Sequence, residues 1–271
     1  VAPGGGHADR SLEGPRTSTI VSGPVGVVVL TDRRVARRPL VEVVAGAVAG
    51  GVRWVVLREK DLPRPDRAAL AAELRAVLAQ VGGTLVVAGP DPLDGDAVHL
   101  PAAGPYPPPR LGLVGRSCHD HTELARLTTE DYVTLSPVYP TRTKPGYGPP
   151  LHPEGLAALI GASPVPVLAL GGIETAEQVQ DCVEAGAAGV AVLGAVMRSD
   201  DPAEAATTLT TAFDQATRQK AAHPRPPSRR RTTAVPTTGL RPTAPTEGSS
   251  LTARSGHGRP QPSTATTERA K

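Results

Sequence analysis

The stretch DYVTLSPVYPTRTKPGYG, Asp131 to Gly148, reads as a strand that runs directly into an anion-binding loop. Its β-branched and aromatic start, Tyr132 to Leu135, suits a half-buried or buried strand. The loop that follows sets Thr141, Thr143 and Lys144 among Pro137, Pro140 and Pro145. Proline fixes φ and lowers the entropy lost on ordering, so two hydroxyls and an ammonium are aimed before an oxyanion arrives. Further on, Val165 to Leu170 (VPVLAL) is an apolar strand ending in Gly171-Gly172, whose bare N–H groups can close on the same anion. Gly189 to Gly194 (GVAVLG) repeats the arrangement. Three successive strands with anion donors at their ends point to parallel α/β architecture with a phosphate site at the strand C-termini.

Working outward, apolar runs alternate with helical patterns from Val25 onward. Strands are expected at 26–30, 53–57, 84–88, 96–100, 113–117, 132–135, 165–170 and 189–193. Helices are expected at 38–49, 64–81, 122–127, 153–160, 176–185 and 202–219. Strand–helix alternation with eight strands predicts a (β/α)8 TIM barrel. An open doubly wound sheet is the structural runner-up, but no Gly-rich dinucleotide fingerprint follows the first strand. Only seven residues separate the third and fourth expected strands, and the next connection, 101–110, is proline-rich. Parallel crossovers usually need about ten to twelve residues. The helices after the third and fourth strands are therefore expected to be trimmed away.

Composition narrows the class. The chain is 39% hydrophobic but only 2% aromatic, which describes a Val, Leu and Ala core and argues against an aromatic-lined nucleic-acid groove. Residues 221–271 carry nine Lys/Arg against two Asp/Glu, so the overall +3 leaves the first 220 residues at −4. The expected organisation is a Gly/Pro/Ser-rich leader over 1–24, a barrel over 25–220 and a Pro/Thr/Arg-rich basic tail over 221–271. The tail lacks the apolar residues needed to offset its ordering entropy, and a tail of no specific function is the plainer reading over non-specific nucleic-acid attraction. Cys118 and Cys182 fall in different elements and make no disulfide framework. With no membrane-length apolar run and no signal-peptide pattern, the cytoplasm is the expected compartment.

Lysine usage sharpens the site. Four lysines stand against twenty-five arginines, and two of the four, Lys60 and Lys144, follow apolar strands. A compact ammonium on a flexible stem suits phosphate, whereas a lone surface lysine would ordinarily be only a solvated charge. In Leu57-Arg58-Glu59-Lys60, alternation sends Arg58 and Lys60 towards the barrel mouth and Glu59 the other way. Ser117, ending Gly115-Arg116-Ser117, adds a hydroxyl from the fifth strand. Arg58, Lys60, Ser117 and Lys144 together can surround a second anion, beside the one held by Thr141, Thr143, Gly171, Gly172 and Gly194. Two adjacent anion sites suit a reaction that joins or splits phosphorylated molecules. His99 reads as a satisfied residue inside a strand, and His119 and His121 lack the spacing of a helix-borne metal pair. No Cys/His metal cluster and no Ser nucleophile elbow is present.

Four elements in order, Leu57-Arg58-Glu59-Lys60-Asp61, Gly115-Arg116-Ser117-Cys118-His119, Ser136 to Gly146 (SPVYPTRTKPG) and Leu170-Gly171-Gly172-Ile173, resemble the thiamine-phosphate synthase family over about Val25 to Thr211. The related thiazole tautomerases share the barrel but carry a catalytic histidine where this chain has Pro137. The resemblance implies a magnesium-assisted transferase that joins a hydroxymethylpyrimidine pyrophosphate to a thiazole phosphate and releases pyrophosphate. It implies that Arg58, Lys60, Ser117 and Lys144 bind the departing pyrophosphate, and that Thr141, Thr143, Gly171, Gly172 and Gly194 hold the thiazole phosphate. It implies small-molecule phosphorylated partners, no membrane and no specific nucleic acid; a homo-oligomer is compatible with it. Three departures cluster on one side. The family's Asn-Asp after the third strand is Ala88-Gly89 here, its Asp after the fourth strand falls in Pro101 to Gly104, and its pyrimidine-touching glutamine is Val56. Asp91, with Asp94 behind it, is the expected substitute magnesium ligand, since magnesium needs few carboxylates when phosphate and water supply the rest. Alternatives left open are a tautomerase-like or other phosphate-binding barrel with altered chemistry, and a non-catalytic thiazole-phosphate binder.

Overall fold

The structure, a computed structural model, describes residues 23–143, 146 and 148–223. Eight strands, β1 (Gly26–Leu30), β2 (Trp54–Leu57), β3 (Thr84–Ala88), β4 (Ala97–Leu100), β5 (Leu113–Cys118), β6 (Tyr132–Leu135), β7 (Val167–Leu170) and β8 (Gly189–Val192), form a closed barrel in chain order. All pairs are parallel, and β8 closes onto β1 with Gly26 opposite Gly189 and Val29 opposite Val192. Around it lie α1 (Leu40–Ala49), α2 (Arg64–Ala79), α3 (His121–Leu124), α4 (His152–Ala162), α5 (Ala176–Ala185), α6 (Gly194–Met197) and α7 (Pro202–Ala222).

Strand alternation divides the core in two. Val27, Val29, Val55 and Val87 pack outward against helix residues such as Val43, Leu74 and Val179. Val28, Val56, Val86, Tyr132 and Leu168 fill the barrel interior. Both faces are buried, which is why the strands read as continuous apolar runs.

No helix lies between β3 and β4 or between β4 and β5. The outer face there is a small separate cluster of Val98, Leu100 and Val114, packed by Leu111. Arg116, fully buried and outward by alternation, ties the proline-rich connection to it. Its guanidinium donates to the Pro101 and Pro105 carbonyls at 3.0 and 2.9 Å, pairs with Glu130, and lies 4.0 Å from the Tyr106 ring centroid. A loop whose carbonyls face a buried cation thus does what a helix does elsewhere, and the cation is compensated on every side.

Differences from the sequence expectation are local. The helix expected at 122–127 is the single turn α3, because Asp120 caps it and the chain re-enters β6 within eight residues. α6 was not expected; four residues carry too little periodicity to announce a helix. α7 runs past 219 to Ala222, with Lys220 donating to the Val183 carbonyl at 2.6 Å. The leader up to residue 22 and the tail from 224 lie outside the described residues, as does Lys144. Among the described residues no helix is long and apolar enough to cross a membrane. Cys118 and Cys182 are both free and buried, and burial pushes each thiol up to about 12.

Candidate active site

A cavity of about 640 Å³ opens at the C-terminal mouth of the barrel. Every strand end contributes to it, as the fold requires of its ligand sites. Arg58, Lys60, Ser117, Thr141, Thr143, Gly171, Gly172 and Gly194 all line this one cavity.

On the β2 side, the Arg58 N–H donates to the buried Thr31 hydroxyl at 2.9 Å, which fixes the backbone as the strand ends. The Arg58 guanidinium lies 3.9 Å from the Asp32 carboxylate. Glu59 was expected to face the other way, yet it is among the residues that line the cavity; it is buried, and its carboxylate accepts the Arg33 N–H and guanidinium at 3.2 and 3.0 Å. The same guanidinium holds Asp61 through two bonds of 2.9 and 2.7 Å, and this keeps the Asp61 carboxyl down at about 2. Residues 58 to 61 all line the cavity, and within that segment Glu59 and Asp61 are tied into an ion-pair network with Arg33.

On the opposite side, the loop after β6 lies directly along the end of β7. Val138 and Tyr139 N–H groups donate to the Leu170 and Gly171 carbonyls, both at 2.9 Å. Gly172 has φ +69°, and a Cβ there would lie 2.5 Å from the Pro140 oxygen and 2.7 Å from that of Tyr139. The double glycine is thus required for two loops to touch as well as for bare N–H donors. Thr141 Oγ1 accepts the Thr143 N–H at 3.2 Å, which curls the loop so that both threonines face the cavity.

The floor holds a residue whose role the sequence understated. His99 lies deep in the barrel with part of its ring open to the cavity. Its Nδ1 is 3.2 Å from the Tyr132 hydroxyl, and its Nε2 is 3.0 Å from Ser117 Oγ and 3.3 Å from Thr134 Oγ1. Burial, then the nearby Lys60 and Arg116 charges, push its pKa down to about 3, so the imidazole is neutral in ordinary buffers. With the proton on Nε2, Tyr132 donates to Nδ1 and the Ser117 hydroxyl keeps its hydrogen for an anion. Such a depressed histidine contributes stability that is complete above its unfolded pKa of about 6.5 and is lost as pH falls towards 3. Urea titrations at pH 7 and pH 5 are expected to show the parent losing about 2 kcal/mol more than His99→Gln between the two. Equal losses would mean that His99 titrates freely.

The remaining expected residues go elsewhere. Asp91 does not line the cavity; its carboxylate receives Arg64 at 2.8 Å and the Leu93 N–H at 2.9 Å. Asp94 lies 3.7 Å from the same Arg64. His119 lines the cavity, and its ring Nδ1 and backbone N–H are both 2.7 Å from the Glu123 carboxylate. Reading the sequence also missed Asp32, Arg34, Glu174 and Arg198, all lining the cavity. Their signal was positional, for each follows closely on the end of β1, β7 or β8.

The carboxylate residues that line the cavity are Asp32, Glu59, Asp61 and Glu174, and each has an arginine within 4.0 Å. Among the described residues no three His, Cys, Asp or Glu side chains gather as metal ligands. β3 and β4 end in Ala88 and Pro101 to Ala103, which present no anionic oxygen to the cavity they line. Glu59 and Asp61 are already engaged by Arg33.

Comparison with known proteins bears on the family and the fold. Residues 27–196 match the family model described as thiamine monophosphate synthase. A putative thiamine-phosphate synthase of Geobacter sulfurreducens is 40% identical over 206 residues, covering 70% of this chain and 95% of that protein. A thiamine-phosphate synthase of Roseiflexus sp. is 36% identical over 69% of this chain and 84% of its own length. Among solved structures, a thiamine phosphate pyrophosphorylase from Pyrococcus furiosus superposes with a TM-score of 0.61 at 26% identity, covering 71% of this chain and 96% of that one.

Proposed function

We infer, from a chain that belongs to the thiamine monophosphate synthase family, which residues of the mouth perform each part of the family's condensation. The protein is an enzyme of thiamine biosynthesis. It joins 4-amino-2-methyl-5-hydroxymethylpyrimidine pyrophosphate to thiazole phosphate, giving thiamine phosphate and pyrophosphate. The observation that carries the assignment of roles is that two sets of anion donors, from β2 and β5 on one side and β6 to β8 on the other, face one cavity.

In this assignment Arg58, Lys60 and Ser117, with Lys144, grip the pyrophosphate. As the pyrimidine C–O bond breaks, negative charge grows on the leaving oxygen, and donors already fixed around it stabilise it more than water does. Thr141, Thr143 and the backbone at Gly171, Gly172 and Gly194 hold the thiazole phosphate. Fixing both ends in one cavity sets the ring nitrogen against the exocyclic carbon and removes the entropy of a bimolecular encounter. Val56 and Ala88 on the interior wall present apolar surface to the pyrimidine. We place the enzyme in the cytoplasm, where its two buried thiols stay reduced.

Magnesium enters this scheme as part of the pyrophosphate substrate, a form in which phosphate oxygens and water supply most ligands. Asp91→Asn is therefore expected to leave the magnesium concentration for half-maximal rate within about twofold of the parent. A several-fold rise would return Asp91 to the metal. Incubating both precursors with magnesium and following thiamine phosphate by mass spectrometry tests the reaction. Turnover of the thiazole alone would favour a tautomerase, and binding without turnover a non-catalytic role.

A further inference from the structure

The phosphate end of the cavity contains an ion pair that the roles above do not use. Arg198 sits one helical turn beyond Gly194, as the C-cap of α6. Its side chain folds back across Gly194. A Cβ at 194 would overlap the guanidinium, with Nη1 at 2.6 Å and Cζ and Nη2 closer still. The planar cation is thus seated on the bare backbone assigned to the thiazole phosphate. Any side chain at 194 would expel it.

Its partner comes from the neighbouring strand end. Arg198 Nη2 donates to Glu174 Oε1 at 2.8 Å, and Glu174 Oε2 is 3.6 Å from Arg142 Nη2. Glu174 follows Gly171-Gly172-Ile173, and its own N–H is held at 2.7 Å by Gln178 in the capping box of α5. Arg142 lies between Thr141 and Thr143. One carboxylate therefore bridges guanidiniums from the β6 and β8 loops, beside the backbone donors meant for an anion. Arg198 and Glu174 are each about a third exposed, at 30% and 34%, where an ion pair is weakly held and readily exchanged. A guanidinium pairs with carboxylate or phosphate through the same fork, and a phosphate dianion offers the greater charge.

We propose that Arg198 is a binding residue for the substrate's phosphomonoester dianion, and that Glu174 is a placeholder carboxylate which the phosphate displaces from it. Arg198 makes the cradle selective for doubly charged phosphate, because a neutral or singly charged ligand cannot compete with Glu174 for the guanidinium. This rests on the phosphate assignment made above.

The test is calorimetric titration of thiazole phosphate, inorganic phosphate and the unphosphorylated thiazole alcohol into the full chain and into Arg198→Ala, Arg198→Lys and Glu174→Gln, beside steady-state kinetics. Arg198→Ala is expected to weaken thiazole phosphate about tenfold to thirtyfold and to raise its KM in parallel, with the KM for the pyrimidine pyrophosphate and the affinity for the alcohol unmoved. Arg198→Lys restores part of that loss. Glu174→Gln removes the competitor and is expected to tighten phosphate binding several-fold. Arg198→Ala and Glu174→Gln weakening phosphate equally, with matching drops in Tm, would make the pair a structural clamp and overturn the proposal. Unchanged phosphate affinity in a folded Arg198→Ala, with the parent binding normally, would overturn it alone. A parent that binds neither phosphate would overturn it together with the assignment beneath it.

Discussion

Lys60→Ala is expected to lower kcat/KM by about a hundredfold or more, with Tm within roughly two degrees of the parent. Lys60 lines the cavity just past β2, beside Arg58 and facing the wall that carries Ser117. It is one of only four lysines in the chain. Its charge also reaches the floor, where it helps hold His99 neutral. A fixed cation against charge that develops only as the C–O bond breaks acts on the transition state more than on the bound substrate. The loss should therefore fall on kcat more than on KM for the pyrimidine substrate. Lys144→Ala, from the loop after β6, is expected to match it in size. Rapid-quench measurement of a single turnover separates chemistry from release. An unchanged single-turnover rate in folded Lys60→Ala would remove it from the leaving-group site.

The second large effect is on stability. Gly115→Ala is expected to cost about 3 kcal/mol or more, because it overpacks a rigid site. For a domain of this size that lowers Tm by roughly 6–12 °C. Gly115 pairs with Tyr132 in the β5–β6 register, and Tyr132 is fully buried with its ring across the barrel interior. A Cβ at 115 would overlap that ring and reach 2.5 Å from its hydroxyl. The residue cannot swing away, since the hydroxyl is engaged by His99 and the interior is filled by Leu113 and Leu168. Denaturant melts of Gly115→Ala, Tyr132→Leu and the double variant decide it. If the clash is the cause, the double variant recovers much of the loss, and the cycle shows a coupling well above 1 kcal/mol. Additive losses would place the defect elsewhere in β5. Displacing Tyr132 also frees His99 Nδ1, so activity should fall in whatever Gly115→Ala remains folded.

These two positions show why parts of the site were legible early. Lys60, Ser117, Thr141, Thr143 and the two glycines after β7 sit at strand ends, and in a parallel barrel strand ends converge on one mouth. Locating the strands therefore located the residues. The chemistry of His99 was less legible. From the chain alone it was one imidazole inside a strand, and its three hydroxyl partners come from β5 and β6, at positions 117, 132 and 134. The glycine of Gly115-Arg116-Ser117 likewise gave no sign that it makes room for a tyrosine seventeen residues on.

By itself the sequence determined the eight strands and their order, the two missing helices and the end of the barrel at which the candidate site residues meet. Those follow from local physics: period-two burial, proline and glycine at loops, and crossovers too short for a helix. Only the tertiary structure decided which charges are available. Asp91 and Asp94 looked like ligands by proximity along the chain, yet Arg64 of α2 takes both. Asp61 and Glu59 are shared by Arg33, and Arg198 reaches back over Gly194 to meet Glu174. Charge pairing depends on which side chains lie within a few ångströms in space, and the energy of a pair falls with distance and solvent exposure rather than with separation along the chain. Sequence order therefore carries the barrel, while closure of the barrel brings carboxylates such as Glu59, Asp91 and Glu174 to their guanidinium partners.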